Sequence, residues 1–198
     1  MLIYDIEICN AIPQRDGRRE SGVRYCQGWN DYGGMGIAVI GVYDYIAERP
    51  RVFCRDNLRE FGALLERHEM VVGFNNYRFD DWVLRAQGIE LPERKSYDLL
   101  DEIWHGAGVT GDYRHETHAG YGLSAMARAN FSLEKTGDGA TAPIQWQRGA
   151  VGSVVDYCLA DVHLTKRLLD RVIRAGRLKS PVNSQWISVR KPGGVVYA

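Results

Sequence analysis

Hydrophobic and polar positions alternate along this chain between the two-residue rhythm of strands and the three-to-four-residue rhythm of helices. The run Leu2-Ile3-Tyr4-Asp5-Ile6-Glu7-Ile8 predicts a short strand over 2–8 that carries Asp5 and Glu7 on one face. Residues 9–35 break the pattern with Pro13, several glycines and clustered arginines, and are read as a loop or irregular hairpin. Apolar stretches at 36–45 and about 51–55 predict two strands joined by a turn near Glu48-Arg49-Pro50. Leu58, Phe61, Leu64 and Leu65 keep helical spacing and predict an amphipathic helix over roughly 57–68. A buried strand at 70–74, a helix from Phe79 to Gln87 and a strand near 96–100 follow. Further helices are expected from about Leu100 to Trp104, from Tyr121 to Asn130, and from about Val151 to Ala175, where Gly176 stops the longest one. Two apolar runs around Pro192-Gly193-Gly194 suggest a closing hairpin in a tail at about 180–198. Early strands followed by interleaved helices and strands point to an α/β fold, a mixed sheet flanked by helices.

Composition narrows the picture. At 198 residues the chain fits one domain, 1–198, with no linker, no internal repeat and no apolar run long enough for a membrane span. No secretory leader is recognisable, so a cytoplasmic location, in a bacterial cell or phage-infected host, is expected. Lys plus Arg equals Asp plus Glu, a formal net charge of zero. A broad electrostatic footprint for duplex nucleic acid is therefore not expected, and any nucleic-acid partner must be gripped locally or through metal ions. Cys9, Cys26, Cys54 and Cys158 have no paired spacing for zinc or a disulfide framework.

Three acidic clusters carry the chemistry. Asp5 and Glu7 present two carboxylates together from an otherwise apolar strand, where burial without a partner is costly. Asp80 closes Gly73-Phe74-Asn75-Asn76-Tyr77-Arg78-Phe79-Asp80 at a helix start. Tyr157 lies one helical turn before Asp161, so both leave one helix face. Hard cations take oxygen ligands of this kind, and two of them about 3.5–4 Å apart serve phosphodiester cleavage. A tyrosine hydroxyl there can orient water. Each element has a plainer explanation: Asp80 as a helix cap, Asp81 as the relevant carboxylate, Tyr157 as a packed aromatic, Asp161 as a surface partner of a base. Asp98 and Asp101 read as structural, and His115 and His118 as part of a polar, solvated loop.

The three segments resemble the three motifs of the DEDD superfamily of 3'–5' exonucleases. D-x-E is matched by Asp5-Ile6-Glu7. N-x-x-x-F-D, the form found in proofreading domains of family B DNA polymerases, is matched by Asn75 through Phe79-Asp80. Y-x-x-x-D is matched by Tyr157 and Asp161, which points to the tyrosine subgroup, DEDDy. The histidine subgroup would need His where Asp156 stands. Gly137-Asp138-Gly139-Ala140 with Pro143 and Trp146 also resembles a loop of small stand-alone phage and bacterial members. The resemblance implies a ribonuclease-H-like fold with a five-stranded mixed sheet, and two Mg²⁺ or Mn²⁺ ions held by Asp5, Glu7, Asp80 and Asp161. With Tyr157 these form the catalytic set, and Asn75 is a substrate contact.

The segment at about 9–35 is the most individual part of the chain. Arg15, Arg18, Arg19 and Arg24 are interleaved with Tyr25, Trp29 and Tyr32, a mixture suited to phosphates and unpaired bases. Arg18, Arg19 and Trp29 are its candidate substrate contacts; solvated decoration or an oligomer contact is the alternative. The expected function is exonucleolytic release of nucleotides from single-stranded 3' ends, DNA before RNA, by a chain too short to carry its own polymerase. Replication or repair proteins are the candidate partners. An exoribonuclease of the same fold, or a nucleic-acid-binding subunit that does not cleave, are the competing readings. A glycosidase needs only two carboxyls, so four acids and a tyrosine argue against it.

Overall fold

The computed structural model describes residues 1–91, 95–135 and 137–193. Its core is a five-stranded mixed sheet in the order β3-β2-β1-β4-β5. Strand β1 (Leu2–Ile8) lies at the centre. It pairs antiparallel with β2 (Ile37–Asp44), placing Asp5 opposite Gly41 and Glu7 opposite Val39. It pairs parallel with β4 (Val71–Gly73). The outer strands are β3 (Arg49–Cys54), antiparallel to β2, and β5 (Ser96–Asp98), parallel to β4. Of the antiparallel pairs, β2 and β3 close through a short turn and β1 and β2 through the segment 9–36, whereas each parallel neighbour requires a helical crossover. These crossovers contain α2 (Leu58–Glu66) and α3 (Asp80–Ala86). The fold is the expected α/β arrangement, a ribonuclease-H-like mixed sheet flanked by helices.

Because β1 is central, both of its faces are covered. Leu2, Tyr4, Ile6 and Ile8 pack with Phe61, Leu64 and Leu65 of α2 and Val83 and Leu84 of α3. On the opposite face Ile3 joins a core built from α4 (Leu99–Gly106), α6 (Leu123–Phe131) and α8 (Val151–Ala175). Burial of each such aliphatic or aromatic side chain stabilises the fold by about 1.5–3 kcal/mol. Asp5 and Glu7 continue the row begun by Ile3 and so face α8.

Several elements differ from the sequence expectation. The turn between β2 and β3 occupies 45–48, and Arg49 and Pro50 already belong to β3. Proline is tolerated there because β3 is an edge strand. The segment 9–35 is tied down by an Ala11–Tyr25 bridge and ends in a short helix, α1 (Tyr32–Met35), capped by Asp31. His118 is not solvated: it ends a one-turn helix, α5 (His115–His118), and its ring packs edge-on against Trp104 at 4.8 Å. The stretch around Pro143 and Trp146 is helical, α7 (Ala142–Gln147). A two-stranded hairpin not expected from the sequence pairs β6 (Arg177–Lys179) with β7 (Trp186–Ser188), whereas the second arm of the hairpin expected around Pro192-Gly193-Gly194 lies outside the described residues. Gly176, at φ 64°, reverses the chain directly after α8, and the Ser180 hydroxyl accepts from the amides of Val182 and Asn183 to form the turn. Gly194 and the residues after it lie outside the described region. Among the described residues no helix is long and apolar enough to cross a membrane.

Candidate active site

The C-terminal half of β1 forms the floor of a cleft of about 720 Å³. Asp5, Glu7, Asp80, Tyr157 and Asp161 all line it, together with Asn75, Lys135 and Trp29. One oxygen from each of Asp5 and Glu7 and the Cys158 sulfur lie within 4.8 Å of one another. The sulfur is already engaged, accepting from the Gly41 amide at 3.2 Å and donating to the Asp5 carbonyl at 3.4 Å. Burial pushes its pKa well up, and the Asp5 and Glu7 charges add to this. Cys158 is thus a neutral thiol holding α8 against β1 and β2, and the carboxylates are the ligand candidates.

Asp80 is positioned by the turn after β4. Asp98, fully buried, accepts from the amides of Asn75 at 2.8 Å and Tyr77 at 3.1 Å. It also caps α4 by accepting from Leu100 at 2.9 Å. Asn75 takes up a left-handed conformation at φ 71°, which asparagine adopts more readily than most side chains. Asn76 is buried directly over Gly73, where a Cβ would come within 2.6 Å of it. The chain then enters α3 with its two acids pointing apart. Asp81 accepts from the Tyr4 hydroxyl, from Asn76 Nδ2 at 3.2 Å and from the Ser96 hydroxyl at 3.0 Å. Asp80 turns into the cleft, 7% exposed.

Helix α8 contributes Tyr157 and Asp161, whose oxygens both meet Lys135. The Lys135 ammonium is ion-paired with Asp161 and donates to the Tyr157 hydroxyl at 3.2 Å. Gly137 lies flat on the Tyr157 ring; a Cβ there would approach it to 2.9 Å. Lys135 was not among the residues expected from sequence. Its place between an apolar helix and a glycine-rich stretch predicts a loop, but carries no signal for where the ammonium goes.

The electrostatics are those of crowded acids in need of cations. Burial raises the pKa of every one of the four carboxyls. Repulsion from Asp161 adds to the shift of Asp5, and repulsion from Asp5 to those of Glu7 and Asp80. Lys135 opposes the rise at Asp5, Glu7 and Asp161. Burial pulls its own pKa down, but the Asp161 charge and hydrogen bond, with Tyr157 and Asp5 behind them, together leave it raised. Burial, then the Asp161 charge, also raises Tyr157, keeping its hydroxyl protonated. One ammonium does not satisfy this set. Asp5 Oδ2 and Asp161 Oδ1 are buried with no hydrogen-bond partner among the described residues. Orphaned carboxylate oxygens beside further carboxylates fit hard divalent cations.

The 9–35 segment borders the cleft, with a split outcome for its candidate contacts. Trp29 is 64% exposed at the rim and meets Phe79 edge-on at 6.3 Å. Arg15 also lines the cleft. Arg18 instead pairs with Asp16 at 3.1 Å, and Arg19 lies over the Tyr25 ring. Neither is among the residues lining the cleft. The segment is fastened to α7 by Gln147, which accepts from the Arg24 amide at 2.7 Å and donates to the carbonyls of Cys9 and Arg24.

No family model and no curated protein matches the chain. Among solved structures, the fold is similar to that of the family B DNA polymerase from the hyperthermophilic archaeon Pyrobaculum calidifontis, with a TM-score of 0.59 at 17% identity. The similarity covers 87% of this chain and 24% of the polymerase, so the protein spans about a quarter of that length.

Proposed function

We propose that the protein is a metal-dependent 3'–5' exonuclease that releases nucleotides from single-stranded ends, DNA by preference. The observation that carries this reading is the pair of buried oxygens, Asp5 Oδ2 and Asp161 Oδ1, without a hydrogen-bond partner among the described residues, in a cleft also lined by Glu7 and Asp80. These four carboxylates would hold two Mg²⁺ or Mn²⁺ ions. The ions, when bound, supply activation of water and stabilisation of the leaving oxygen in phosphodiester hydrolysis. Tyr157, protonated and fixed on α8, orients water through its hydroxyl. Asn75 and Trp29 at the rim, with Arg15 beside them, suit the sugar, base and phosphate of a terminal nucleotide. Similarity of fold to a family B DNA polymerase supports the same reading.

The Lys135–Asp161 pair favours one competing reading, a nucleic-acid-binding module that does not cleave, since an ammonium already neutralises part of the ligand set. End-labelled DNA and RNA strands, incubated with Mg²⁺ or Mn²⁺ and with chelator, separate the two. Shortening from the 3' end that stops in chelator is expected. Asp5→Ala and Asp161→Ala should each lower it by more than about a hundredfold, beyond the 10–100-fold typical of residues that only support a metal ligand. Tyr157→Phe should reduce turnover by about tenfold to a hundredfold with substrate binding retained. Cleavage that survives chelator, or full activity of Asp161→Ala, overturns the assignment.

A further inference from the structure

The formal charge of zero conceals a strong asymmetry. Residues 162–193 contain eight lysines and arginines and a single acid, Asp170. That acid is spoken for, by Lys166 at 2.7 Å and the Tyr45 hydroxyl at 2.6 Å. Along the outer side of the C-terminal half of α8 and onto the hairpin, guanidinium groups and rings alternate. Phe131 carries Arg167 at 4.9 Å and Arg171 at 5.6 Å from its centroid. Trp186, 51% exposed, carries Arg171 at 5.2 Å and Arg177 at 4.8 Å. Among the described residues none of these three arginines is in a salt bridge. The neighbouring acids Glu134 and Glu102 are taken by Arg128 and Arg190. A ring holds a guanidinium in place without cancelling its charge. Arg171 also donates one N–H to the Asn130 carbonyl at 2.9 Å, a neutral partner that leaves the charge and the remaining edge groups for oxyanions.

The position of this ladder specifies its ligand. Phe131 ends α6 only four residues before Lys135, whose ammonium lies in the cleft, so the first rung is within about 14 Å of Lys135 along the chain. From Arg167 to the end of α8 at Ala175 the helix rises on the order of 12 Å further, and Arg177 follows just past its end. Both spans are several times the distance of about 3.4 Å between successive nucleotides of one duplex strand, so a strand leaving the cleft covers them with a few nucleotides. We infer that the Arg167–Phe131–Arg171–Trp186–Arg177 ladder is a second nucleic-acid site, which grips the sugar–phosphate backbone of the strand whose end lies in the cleft. The inference rests on the nuclease reading for the identity of the strand, and assigns the electrostatic grip to the C-terminal region in place of Arg18 and Arg19. It gives a protein of zero net charge a local polyanion track. Long strands use the track, and very short ones end before reaching it.

The test is binding of labelled single strands of about 16 and about 4 nucleotides, in chelator so that they survive, over a salt series. The double variant Arg167→Gln/Arg177→Gln should weaken binding of the long strand and leave the short one unchanged. The slope of log affinity against log salt should flatten by about 1.4, two phosphate contacts at about 0.7 each. With metal, KM for the long strand should rise while kcat holds. Arg174→Gln/Lys179→Gln, exposed but outside the ladder, should have a smaller effect. The single variant Arg177→Gln, which should flatten the slope by about 0.7, tests the ladder if the double variant misfolds. Wild-type affinity and slope in the ladder variant overturn the inference while leaving metal-dependent cleavage intact. Ladder-dependent strand binding without any cleavage overturns the nuclease reading and leaves this site standing. Ladder-dependent binding to phosphatidylserine vesicles, with strand binding unchanged, overturns it in favour of a membrane surface.

Discussion

Lys135 is ion-paired with Asp161 across the mouth of the cleft, twenty-six positions away in the chain, so an internal cation sits where the ligand carboxylates converge. The pair stabilises the metal-free protein and competes with incoming cations for Asp161. Lys135→Met should therefore lower the melting temperature in chelator and enlarge the rise in melting temperature on adding Mg²⁺. Melting curves with and without metal check both. An unchanged metal-induced rise would mean that the ammonium does not compete.

Asp80 and Asp81 are adjacent but face different surroundings, which yields opposite expectations for the two. Asp81→Ala strands Tyr4, Asn76 and Ser96, and should destabilise the protein by about 1–3 kcal/mol for the buried polar groups left unpaired. Asp80→Asn should preserve stability and lose cleavage. Denaturation midpoints measured alongside turnover distinguish them; an active Asp80→Asn would move the ligand role elsewhere.

The metal-free protein should become less stable as pH rises through the weakly acid range. Burial, with repulsion from Asp161, raises Asp5 from 3.8 to about 7. Burial likewise raises Glu7 to about 10, with repulsion from Asp5 the next cause. Between about pH 4 and 7 the folded state then holds more protons than the unfolded one, so stability falls with pH. This is the reverse of a salt-bridged carboxylate. Saturating Mg²⁺ should widen its advantage over chelator as pH rises, because ligation needs deprotonated carboxylates. Thermal melts from about pH 4.5 to 7.5, with Mg²⁺ or chelator, test this; melting temperatures that rise with pH in chelator contradict it.

Trp29 offers an exposed ring at the rim, on the edge of Phe79. Trp29→Ala should weaken single-strand binding by about 1–3 kcal/mol if a base stacks there. Arg18→Ala should have little effect, since its guanidinium already pairs with Asp16. Fluorescence anisotropy with a labelled strand measures both, and equal losses for the two variants would contradict the cleft geometry.

What could be read in the sequence was governed by local periodicity. Asp5 and Glu7 stand out because a two-residue rhythm puts them on one face. The bounds of α8 were legible because its apolar stripe runs unbroken from Val151 until Gly176 ends it. The mixed sheet followed from the order of strands and helices. The choice between Asp80 and Asp81 was less accessible, because it depends on Tyr4 and Ser96, supplied by two other strands. Lys135 was invisible for the same reason: its contacts with Tyr157 and Asp161 exist only after α8 has docked. The arginines of 9–35 drew attention by density, whereas those flanking Phe131 and Trp186 are dispersed over three elements and become a track only in the folded chain.

Gly41 faces the Cys158 thiol with no side chain between them, and a Cβ there would come within 2.9 Å of the sulfur. The close approach of sheet and helix at this point, one turn from Asp161 and beside Tyr157, therefore depends on position 41 having no side chain. A methyl group at position 41 would act as a wedge. It would tilt α8 outward and draw the helix-borne oxygens away from those on β1, detuning the cleft without altering one of its groups. Precision in this centre depends on an atom that is missing from the chain as much as on the acids that are present.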